Sequence, residues 1–212
     1  MNEFSNKIRE KAGKAPGTLI HVGSKKSEKI RITVIDYDDA NYNESEYTNI
    51  EDCFKFKETK SISWINIDGL HDVKMIDQLG KHFDLHPLLL EDILNTRHRP
   101  KTETFDDYIF LTLKMLGVSK DGQSIINEQV SFVLGKTWVI SFQERQGDIF
   151  DMIRERLKAN HGSVRKLGSD YLLYRLIDTV VDNYFFVTEY FNDVTEKLEN
   201  QVLKDPGGGG KA

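Results

Sequence analysis

One short segment, residues 62–67, places the strongest constraint on the fold of this chain. Successive side chains of an extended strand point to opposite faces, and both faces of this segment are apolar. One face carries Ile62 and Trp64, and the other carries Ile65 and Ile67. A strand that is apolar on both sides is buried on both sides, as happens where helices cover both faces of a sheet. The segment therefore predicts layers in the order α/β/α.

Helical and extended patterns alternate around this strand. A half-buried strand is predicted over residues 30–34, and the polar stretch 38–47 is interpreted as a connection. A short helix capped by Asn49 or Thr48 is expected next. Asp72 is then predicted to cap a helix, because an apolar stripe at helical spacing follows it. That stripe consists of Val73, Ile76, Leu79 and Phe83.

The second half of the chain begins as a meander of strands. Strands are predicted over 108–116, 126–134 and 137–142, with two-residue turns at Asp121-Gly122 and Gly135-Lys136. Asp148 is predicted to cap a following helix. The expected fold class is therefore α/β: a layered α/β/α domain with a mixed parallel/antiparallel sheet and a long C-terminal helix.

That last helix is predicted from Ser169 past Leu198, about thirty residues or roughly 45 Å. Apolar residues spaced alternately three and four apart form a heptad seam: Ile177, Val180, Tyr184, Val187, Phe191, Val194 and Leu198. Such a seam predicts packing against another long helix. Almost opposite lies an acidic stripe: Asp178, Asp182, Glu189, Asp193 and Glu196. Like charges four residues apart destabilise a helix slightly, so we expect compensation from outside it.

A much shorter helix carries two adjacent acids. Pro87 suits its first position, and Pro100 prevents the helix from continuing. Its buried stripe is Leu89, Leu90, Ile93 and Leu94. Glu91 and Asp92 are left as neighbouring carboxylates beside a basic turn that could pair with a neighbouring subunit. That turn contains Arg97, His98, Arg99 and Lys101.

Spacing alone leaves two interpretations of Glu91, Asp92 and Asp178 open. They could bind a divalent cation, since Mg²⁺ prefers oxygen ligands and keeps much of its water shell. They could instead be solvated surface acids, with the first two paired to Arg97 or Arg99. Acids on helices are usually exposed, so spacing by itself favours the second interpretation.

Composition excludes several classes of protein. The chain has 29 basic and 34 acidic residues, a net charge of −5, so a nucleic-acid partner is not expected. Cys53 is the only cysteine, which excludes an internal disulfide and fits a reducing compartment. No apolar run is long enough to cross a bilayer, and no secretory signal begins the chain. His82 and His86 are four residues apart, but without an HExxH motif they favour capping or core roles over zinc.

An enzyme is the alternative to these interpretations. Glu91 and Asp92 could serve as an acid/base pair in a soluble α/β hydrolase. Adjacent residues on a helix diverge by about 100°, however, so the two carboxylates cannot easily flank one scissile bond. The sequence also has no nucleophile elbow and no P-loop. Catalysis is therefore not expected.

Five segments, in order, resemble the CorA-type magnesium and cobalt transport family. They read APGTLIHVG, SWINIDGLHD, HPLLLEDILNTRHRPKTETFDDYIFLTLKML, EQVSFVLGKTWVISFQE and DYLLYRLIDTVVDNYF. The resemblance extends from about Pro16 to about Leu203. The family has two membrane-spanning helices and a Gly-Met-Asn motif after its cytoplasmic part, and neither is present in this sequence.

The resemblance implies a cytoplasmic domain that senses divalent cations and controls gating of a membrane transporter. Glu91 and Asp92 match the acid pair of the family's regulatory Mg²⁺ sites, and Asp178 matches a third acidic ligand on the long helix. It also implies a homopentamer at the cytoplasmic face of the cell membrane, attached only through the missing transmembrane segment. The implied ion is Mg²⁺, with Co²⁺ or another divalent cation as alternatives, including the zinc of a zinc-transporting relative.

Four parts of the chain are expected. Residues 1–14 are predicted to be a mobile arm, and residues 15–165 the α/β cytoplasmic domain. Residues 166–204 are predicted to be the long helix packing on that domain. Residues 205–212 form a glycine-rich tail, interpreted as the added or altered end of a truncated protein, with a native linker as the alternative.

Overall fold

The structure, a computed structural model, describes residues 13–119, 122 and 124–204. The strands are β1 (Arg31–Tyr37), β2 (Tyr42–Tyr47), β3 (Ile62–Asp68), β4 (Lys101–Thr104), β5 (Ile109–Val118), β6 (Ile125–Leu134) and β7 (Trp138–Gln143). They form one sheet in the order β2-β1-β3-β7-β6-β5-β4. β3 and β7 run parallel at its centre, and every other pair of neighbours is antiparallel. The expected mixed sheet is confirmed.

Helices cover both faces of this sheet. They are α1 (Val73–His82), α2 (Pro87–Leu94), α3 (Asp151–Ala159) and α4 (Ser169–Lys204), with short 3-10 helices at Ile50–Lys57 and Val164–Lys166. Asp72 caps α1 as predicted, because its side chain accepts hydrogen bonds from the N–H groups of Lys74 and Met75. The 3-10 helix follows Asn49, which makes no side-chain cap hydrogen bond.

The sheet separates two hydrophobic clusters, and β3 contributes to both. Ile65 and Ile67 join the cluster that contains the apolar residues of α1 and α2. Trp64 joins the cluster on the other face, which contains those of α3 and α4. From Ser63 to Asp68 every residue of β3 is buried. The two-sided apolar pattern of this segment therefore predicted the α/β/α layering correctly.

The sequence analysis did not predict the two edge strands, β2 and β4. The polar stretch interpreted as a connection contains β2, whose sequence is YNESEY, and the opposite edge is β4, whose sequence is KTET. Each pairs with one neighbour only, β2 with β1 and β4 with β5. An edge strand buries few side chains, and charged residues on it discourage pairing with other chains. Their polar composition therefore concealed these strands.

The predicted cap of α3 was wrong. Phe150 occupies the N-cap position of α3, and Asp148 lies two residues before it. The Asp148 carboxylate accepts a hydrogen bond from the Phe150 N–H at 2.9 Å and forms an ion pair with Arg154 at 2.5 Å. Burial favours this arrangement, because the Asp148 side chain is only 4% exposed and needs a cation beside it.

The hairpin turns differ from the prediction in detail. Gly135 donates its N–H to the carbonyl of Trp138, so the two central residues are Lys136 and Thr137, one position later than expected. Asp121, half of the other predicted turn, lies outside the described residues.

The long helix α4 has 36 residues, about 54 Å at 1.5 Å per residue. Its expected extent is confirmed. For Ile177, Val180 and Tyr184 the expected helix partner was wrong, because these residues pack on the sheet. Heptad spacing marks an apolar face and does not distinguish a helix from a sheet beneath it. Beyond Val187 the apolar side chains emerge into solvent: Phe191 is 53% exposed and Leu198 is 56% exposed.

Two predicted segments fall outside what the structure describes, namely residues 1–12 of the N-terminal arm and the tail 205–212. The predicted boundaries between the parts of the chain stay predictions. Across the described ranges, no helix is both long enough and apolar enough to span a membrane.

Candidate metal centre

The helix α2 is fixed at both ends. At its start the His86 Nδ1 accepts a hydrogen bond from the Leu88 N–H at 3.2 Å, and Pro87 occupies the first turn. At its end the side-chain amide of Gln129 on β6 donates to the carbonyls of Asp92 and Ile93 at 3.3 and 3.5 Å. The four apolar residues predicted to be buried in α2 are all buried. The adjacent acids, Glu91 and Asp92, therefore lie on a helix that hydrogen bonds hold at both ends.

Asp92 is already paired with basic side chains of the same chain. Its carboxylate lies 2.5 Å from the Nζ of Lys101 and 3.3 Å from the Nε2 of His98. The predicted pairing with Arg97 or Arg99 was therefore wrong in its partners. The chain reverses after Asn95 and enters β4, and this reversal brings Lys101 beside α2.

Lys101 connects Asp92 to a third acid. Its Nζ also lies 2.9 Å from the carboxylate of Glu103. Burial lowers the pKa of Lys101, but its hydrogen bonds to Asp92 and Glu103 outweigh burial and leave the pKa raised. Lys101 is therefore a cation held between two carboxylates.

Glu91 contacts a different part of the molecule. Its carboxylate accepts a hydrogen bond at 2.7 Å from the backbone N–H of Gly17, which is 74 residues away in sequence. Gly17 has a φ of +82°, and a Cβ there would lie 3.1 Å from the Cβ of Pro87. Only glycine suits this close, left-handed approach of the backbone to α2. Glu91 thus fixes the segment that precedes β1 onto α2.

A cavity of about 490 Å³ opens beside these acids. Its lining includes Glu91, Asp92 and Glu103, together with Lys101. The cavity thus brings three carboxylates and one ammonium to one surface of the molecule. Carboxylate oxygens are the ligands that Mg²⁺ prefers, and a cavity leaves room for the water molecules that this ion retains. We call this cavity, with those four residues, the acidic rim.

Asp178 lies on the other side of the sheet. It belongs to α4, which packs on the face opposite α2. Its carboxylate forms an ion pair at 2.8 Å with Arg175, one turn earlier on the same helix, and the Asp178 side chain is 31% exposed. The compensation of the acidic stripe was expected from outside α4, but the cation paired with Asp178 lies on α4 itself. The fold does not bring Asp178 to Glu91 and Asp92 within one chain.

The described part of a single chain holds no ready-made metal site. Among residues 13–119, 122 and 124–204, no group of three or more His, Cys, Asp or Glu side chains is placed to hold a metal ion. The two histidines that suggested zinc have other roles: His86 caps α2, and His82 stacks on Phe54 with ring centroids 4.0 Å apart. A complete site at the acidic rim needs further ligands from outside these residues.

The fold defines a class of protein: α/β domains from which a long C-terminal helix extends. In this chain the acidic rim lies on the face of the sheet opposite that helix. The soluble domain of CorA from Methanocaldococcus jannaschii has the same fold, with a TM-score of 0.60 and 15% identity, covering 88% of this chain and 67% of that chain. The full-length CmaX protein has a TM-score of 0.65 and 14% identity, covering 86% and 54%. The ZntB cytoplasmic domain from Vibrio parahaemolyticus has a TM-score of 0.57 and 15% identity, covering 81% and 65%.

Sequence comparisons show the family. A family model described as CorA-like Mg²⁺ transporter protein matches residues 59–208. The cobalt/magnesium transport protein CorA of Thermotoga maritima is 42% identical over 200 residues, which cover 94% of this chain and 57% of that protein. The putative metal ion transporter YfjQ of Bacillus subtilis is 27% identical over 136 residues, covering 64% of this chain and 41% of that protein. The chain belongs to the CorA-like family, and it spans about half the length of these relatives.

The sequence analysis missed three residues that contact the acids of the candidate site: Lys101, Glu103 and Gly17. Lys101 was assigned to a turn that could contact a neighbouring subunit, but it pairs with Asp92 of its own chain. Period-two alternation in KTET, which places Lys101 and Glu103 on one face of β4, was the available signal. Gly17 offered no signal, because nothing in its surroundings in sequence indicates a partner 74 residues away.

Proposed function

We propose that this chain is the cytoplasmic ion-sensing domain of a divalent-cation transporter that carries Mg²⁺ or Co²⁺. In this proposal Glu91 and Asp92 of one subunit and Asp178 of a neighbouring subunit hold a hydrated Mg²⁺ between them. The full-length protein assembles as a homopentamer at the cytoplasmic face of the membrane. Family membership and the transport activities named for the relatives support the proposal.

The observation that carries the proposal is the separation of the acids by the sheet. Asp178 lies on the α4 face and the acidic rim lies on the α2 face, so one chain cannot use all of these carboxylates on one ion. Two chains packed α2 face to α4 face bring them together. A heterologous contact of this kind closes into a ring when its rotation angle permits, which suits a cyclic oligomer.

The donor chemistry favours Mg²⁺ over Zn²⁺. The rim offers carboxylate oxygens from Glu91, Asp92 and Glu103, and hard cations prefer such ligands. Zinc sites favour cysteine and histidine, but His86 uses its Nδ1 to cap α2. A metal that approaches Asp92 competes with Lys101, which is already 2.5 Å away. Binding is therefore expected to be weak, in a range that responds to changes in free cytosolic Mg²⁺.

The regulatory mechanism follows from linkage. A cation that binds only where two subunits meet stabilises the arrangement in which they are packed, which we assign to the closed transporter. When cytosolic Mg²⁺ falls, the facing carboxylates lose their counterion and repel one another, and the subunits move apart. Import then resumes, and the transporter is under negative feedback.

Thermal unfolding tests the ligand assignment. If Mg²⁺ binds the native chain with a dissociation constant near 1 mM, 10 mM Mg²⁺ adds about 1.4 kcal/mol, or about 3–6 °C in the unfolding midpoint. Asp92→Ala and Asp178→Ala should each abolish this gain. Asp77→Ala, which removes a carboxylate paired with Lys81 on α1, is the matched control and should retain it. An undiminished gain in both test variants would count against the assignment.

Sedimentation with mixed variants tests the two-chain geometry. Mg²⁺ at millimolar concentration should drive self-association of the wild-type chain, and neither Asp92→Ala nor Asp178→Ala alone should associate. An equimolar mixture should recover dimers, because each variant supplies the carboxylate that the other lacks. Failure of the mixture to associate, while the wild type does, would exclude an α2-to-α4 contact.

A further inference from the structure

A second cavity, of about 320 Å³, opens where the chain diverges after the two central strands. β3 and β7 are parallel neighbours, and Asp68 pairs with Gln143 at their carboxyl ends. After β3 the chain continues into α1 on one face of the sheet, whereas after β7 it continues into α3 on the other face. In α/β sheets a divergence of this kind leaves a crevice in which ligands bind. We call this second cavity the strand-end cavity, and its charged lining residues are Arg31, Glu44, Asp68, Asp148, Asp151 and Arg154.

Both guanidinium groups of the strand-end cavity already have carboxylate partners. The Arg154 guanidinium lies 2.5 Å from the Asp148 carboxylate and 2.9 Å from that of Asp151. Arg31 forms an ion pair with Glu46, which is not part of the lining. The two cations are therefore paired with three carboxylates, and the other two acids of the cavity take no part in these pairs.

Asp68 is a buried carboxylate with one unused oxygen. The residue is 4% exposed, and its Oδ1 accepts a hydrogen bond from the side-chain amide of Asn66 at 3.1 Å. Among all the residues that the structure describes, no group donates a hydrogen bond to the Oδ2 of Asp68, and no basic side chain forms an ion pair with its carboxylate. Buried polar atoms normally have partners, so an oxygen left without one in the lining of a cavity indicates a ligand.

The charge of Asp68 is costly to the free protein. Burial, and then the charge of Asp148, raise the pKa of Asp68 to about 6, although Asn66, Arg154 and Arg31 act in the opposite direction. At pH 7 the carboxylate is therefore mostly ionised in surroundings that disfavour its charge. Groups kept in this state are typical of sites that bind a ligand or react. A cation beside Asp68 relieves this cost.

We propose that the strand-end cavity binds the ammonium group of a small organic amine, with Asp68 as its ion-pair partner. An ammonium group has three N–H donors and needs several acceptors. The lining supplies the Thr33 hydroxyl and the Glu44 carboxylate as further acceptors beside Asp68. A cavity of about 320 Å³ lies at the lower end of the size range of small-molecule sites, which suits a small amine.

An ammonium group fits this cavity better than a metal ion does. The nearest acid that could act as a second ligand, Asp148, already uses both carboxylate oxygens on Arg154. Nor do the described residues contain a group of three or more His, Cys, Asp or Glu side chains placed to hold a metal. The strand-end cavity shares no residue with the acidic rim, so amine binding stands or fails independently of the proposed cation site.

Backbone amide NMR titration at pH 7 in EDTA, with the ionic strength held constant, tests the cavity without any divalent cation. The probes are butylamine, the diamine putrescine, and n-butanol as the neutral analogue of butylamine. Saturable binding of butylamine, with the largest shifts at the amides of Asp68, Gly69 and Gly147, is the expected result. Binding of putrescine alone assigns the site to diamines, with Glu44 as the second partner. Absence of saturable binding for both amines, or equal binding of n-butanol, overturns the proposal.

Three variants locate the binding. Asp68→Asn should weaken it about tenfold, the effect of losing one hydrogen bond to a charged group. This variant is expected to fold, because asparagine keeps an acceptor for the Asn66 amide and removes a buried charge. Glu44→Gln, at an exposed position, should also weaken binding and serves as the second test. The matched control is Asp77→Asn, which removes the same charge from a carboxylate paired with Lys81 on α1. Undiminished binding in Asp68→Asn, or equal weakening in the control, would overturn the assignment.

Discussion

A metal ion that binds Asp92 must compete with Lys101, which is paired with the same carboxylate. Lys101→Met is therefore the most informative substitution at the acidic rim. The Lys101 Nζ lies 2.5 Å from the Asp92 carboxylate and 2.9 Å from that of Glu103. Methionine keeps most of the length and packing of the lysine side chain while it removes the charge. If Mg²⁺ binds these carboxylates, the substitution should tighten Mg²⁺ binding even though it removes a favourable contact from the metal-free protein.

The expected magnitude follows from Coulomb's law and the exposure of the pair. Two unit charges about 4 Å apart interact by about 4 kcal/mol at an effective dielectric constant of about 20. The side chains of Lys101 and Asp92 are 25% and 17% exposed, so water and salt reduce this value. We expect about 1–2 kcal/mol in favour of Mg²⁺, a five- to thirtyfold gain in affinity. The metal-free variant should lose about 1 kcal/mol of stability.

Backbone amide NMR suits this measurement, because it determines dissociation constants in the millimolar range. Mg²⁺ is titrated into the wild-type chain, Lys101→Met and the control Lys81→Met at constant ionic strength. Lys81 is 74% exposed and pairs with Asp77 on α1, so its removal changes net charge equally without touching the rim. Unchanged or weaker binding in Lys101→Met, or an equal gain in the control, would contradict a metal at Asp92.

Three further predictions concern stability and are measured by urea unfolding. Burial, and then the charge of Asp148, raise the pKa of Asp68 from 3.8 to about 6, so the native state holds a proton that the unfolded state releases. Stability should therefore fall by about 2–3 kcal/mol as pH rises from 4 to 7, and Asp68→Asn should remove this slope. Arg154→Met leaves Asp148, whose side chain is 4% exposed, without its guanidinium and should cost about 3–5 kcal/mol. Gly80→Ala places a Cβ 2.3 Å from the Cδ1 of Leu90 and should cost about 1–3 kcal/mol by forcing α1 and α2 apart. A flat pH profile of the wild-type chain would contradict the prediction for Asp68. A loss below about 0.5 kcal/mol in Arg154→Met or Gly80→Ala would contradict the prediction for that variant.

The parts of the fold that could be predicted are those where local pattern and burial agree. The two-sided apolar segment predicted β3, and Asp72 marked the start of α1, because each signal lies within a few residues of the element it specifies. The edge strands β2 and β4 could not be predicted, since they bury few side chains. The parallel pairing of β3 with β7 joins residues about seventy-five positions apart, as in the hydrogen bond from Trp64 to Ser141, and no local pattern records it.

Two acids of the candidate site, Glu91 and Asp92, could be predicted from the sequence, but Glu103 and the partners of these acids could not. The apolar stripe of α2 identified Glu91 and Asp92 as its outward residues, because helical periodicity alone determines which side chains are buried. Their contacts depend on tertiary structure. The turn after Asn95 brings Lys101, rather than Arg97 or Arg99, to Asp92. The partner of Glu91 is the backbone N–H of Gly17, which is 74 residues away in sequence. Asp178 lies across the sheet, a placement that the sequence pattern does not specify.

Paramagnetic broadening by Mn²⁺, an oxygen-preferring substitute for Mg²⁺, locates the bound ion directly. Substoichiometric Mn²⁺ is added to the isotopically labelled chain, and loss of each amide signal reports proximity to the metal. We predict that the amides of Gly17, Glu91, Asp92 and Glu103 broaden first, together with that of Asp178 once chains associate, and that excess Mg²⁺ restores them. Broadening spread evenly along the exposed acids of α4, with the acidic rim unaffected, would contradict a cation-sensing role for Glu91 and Asp92.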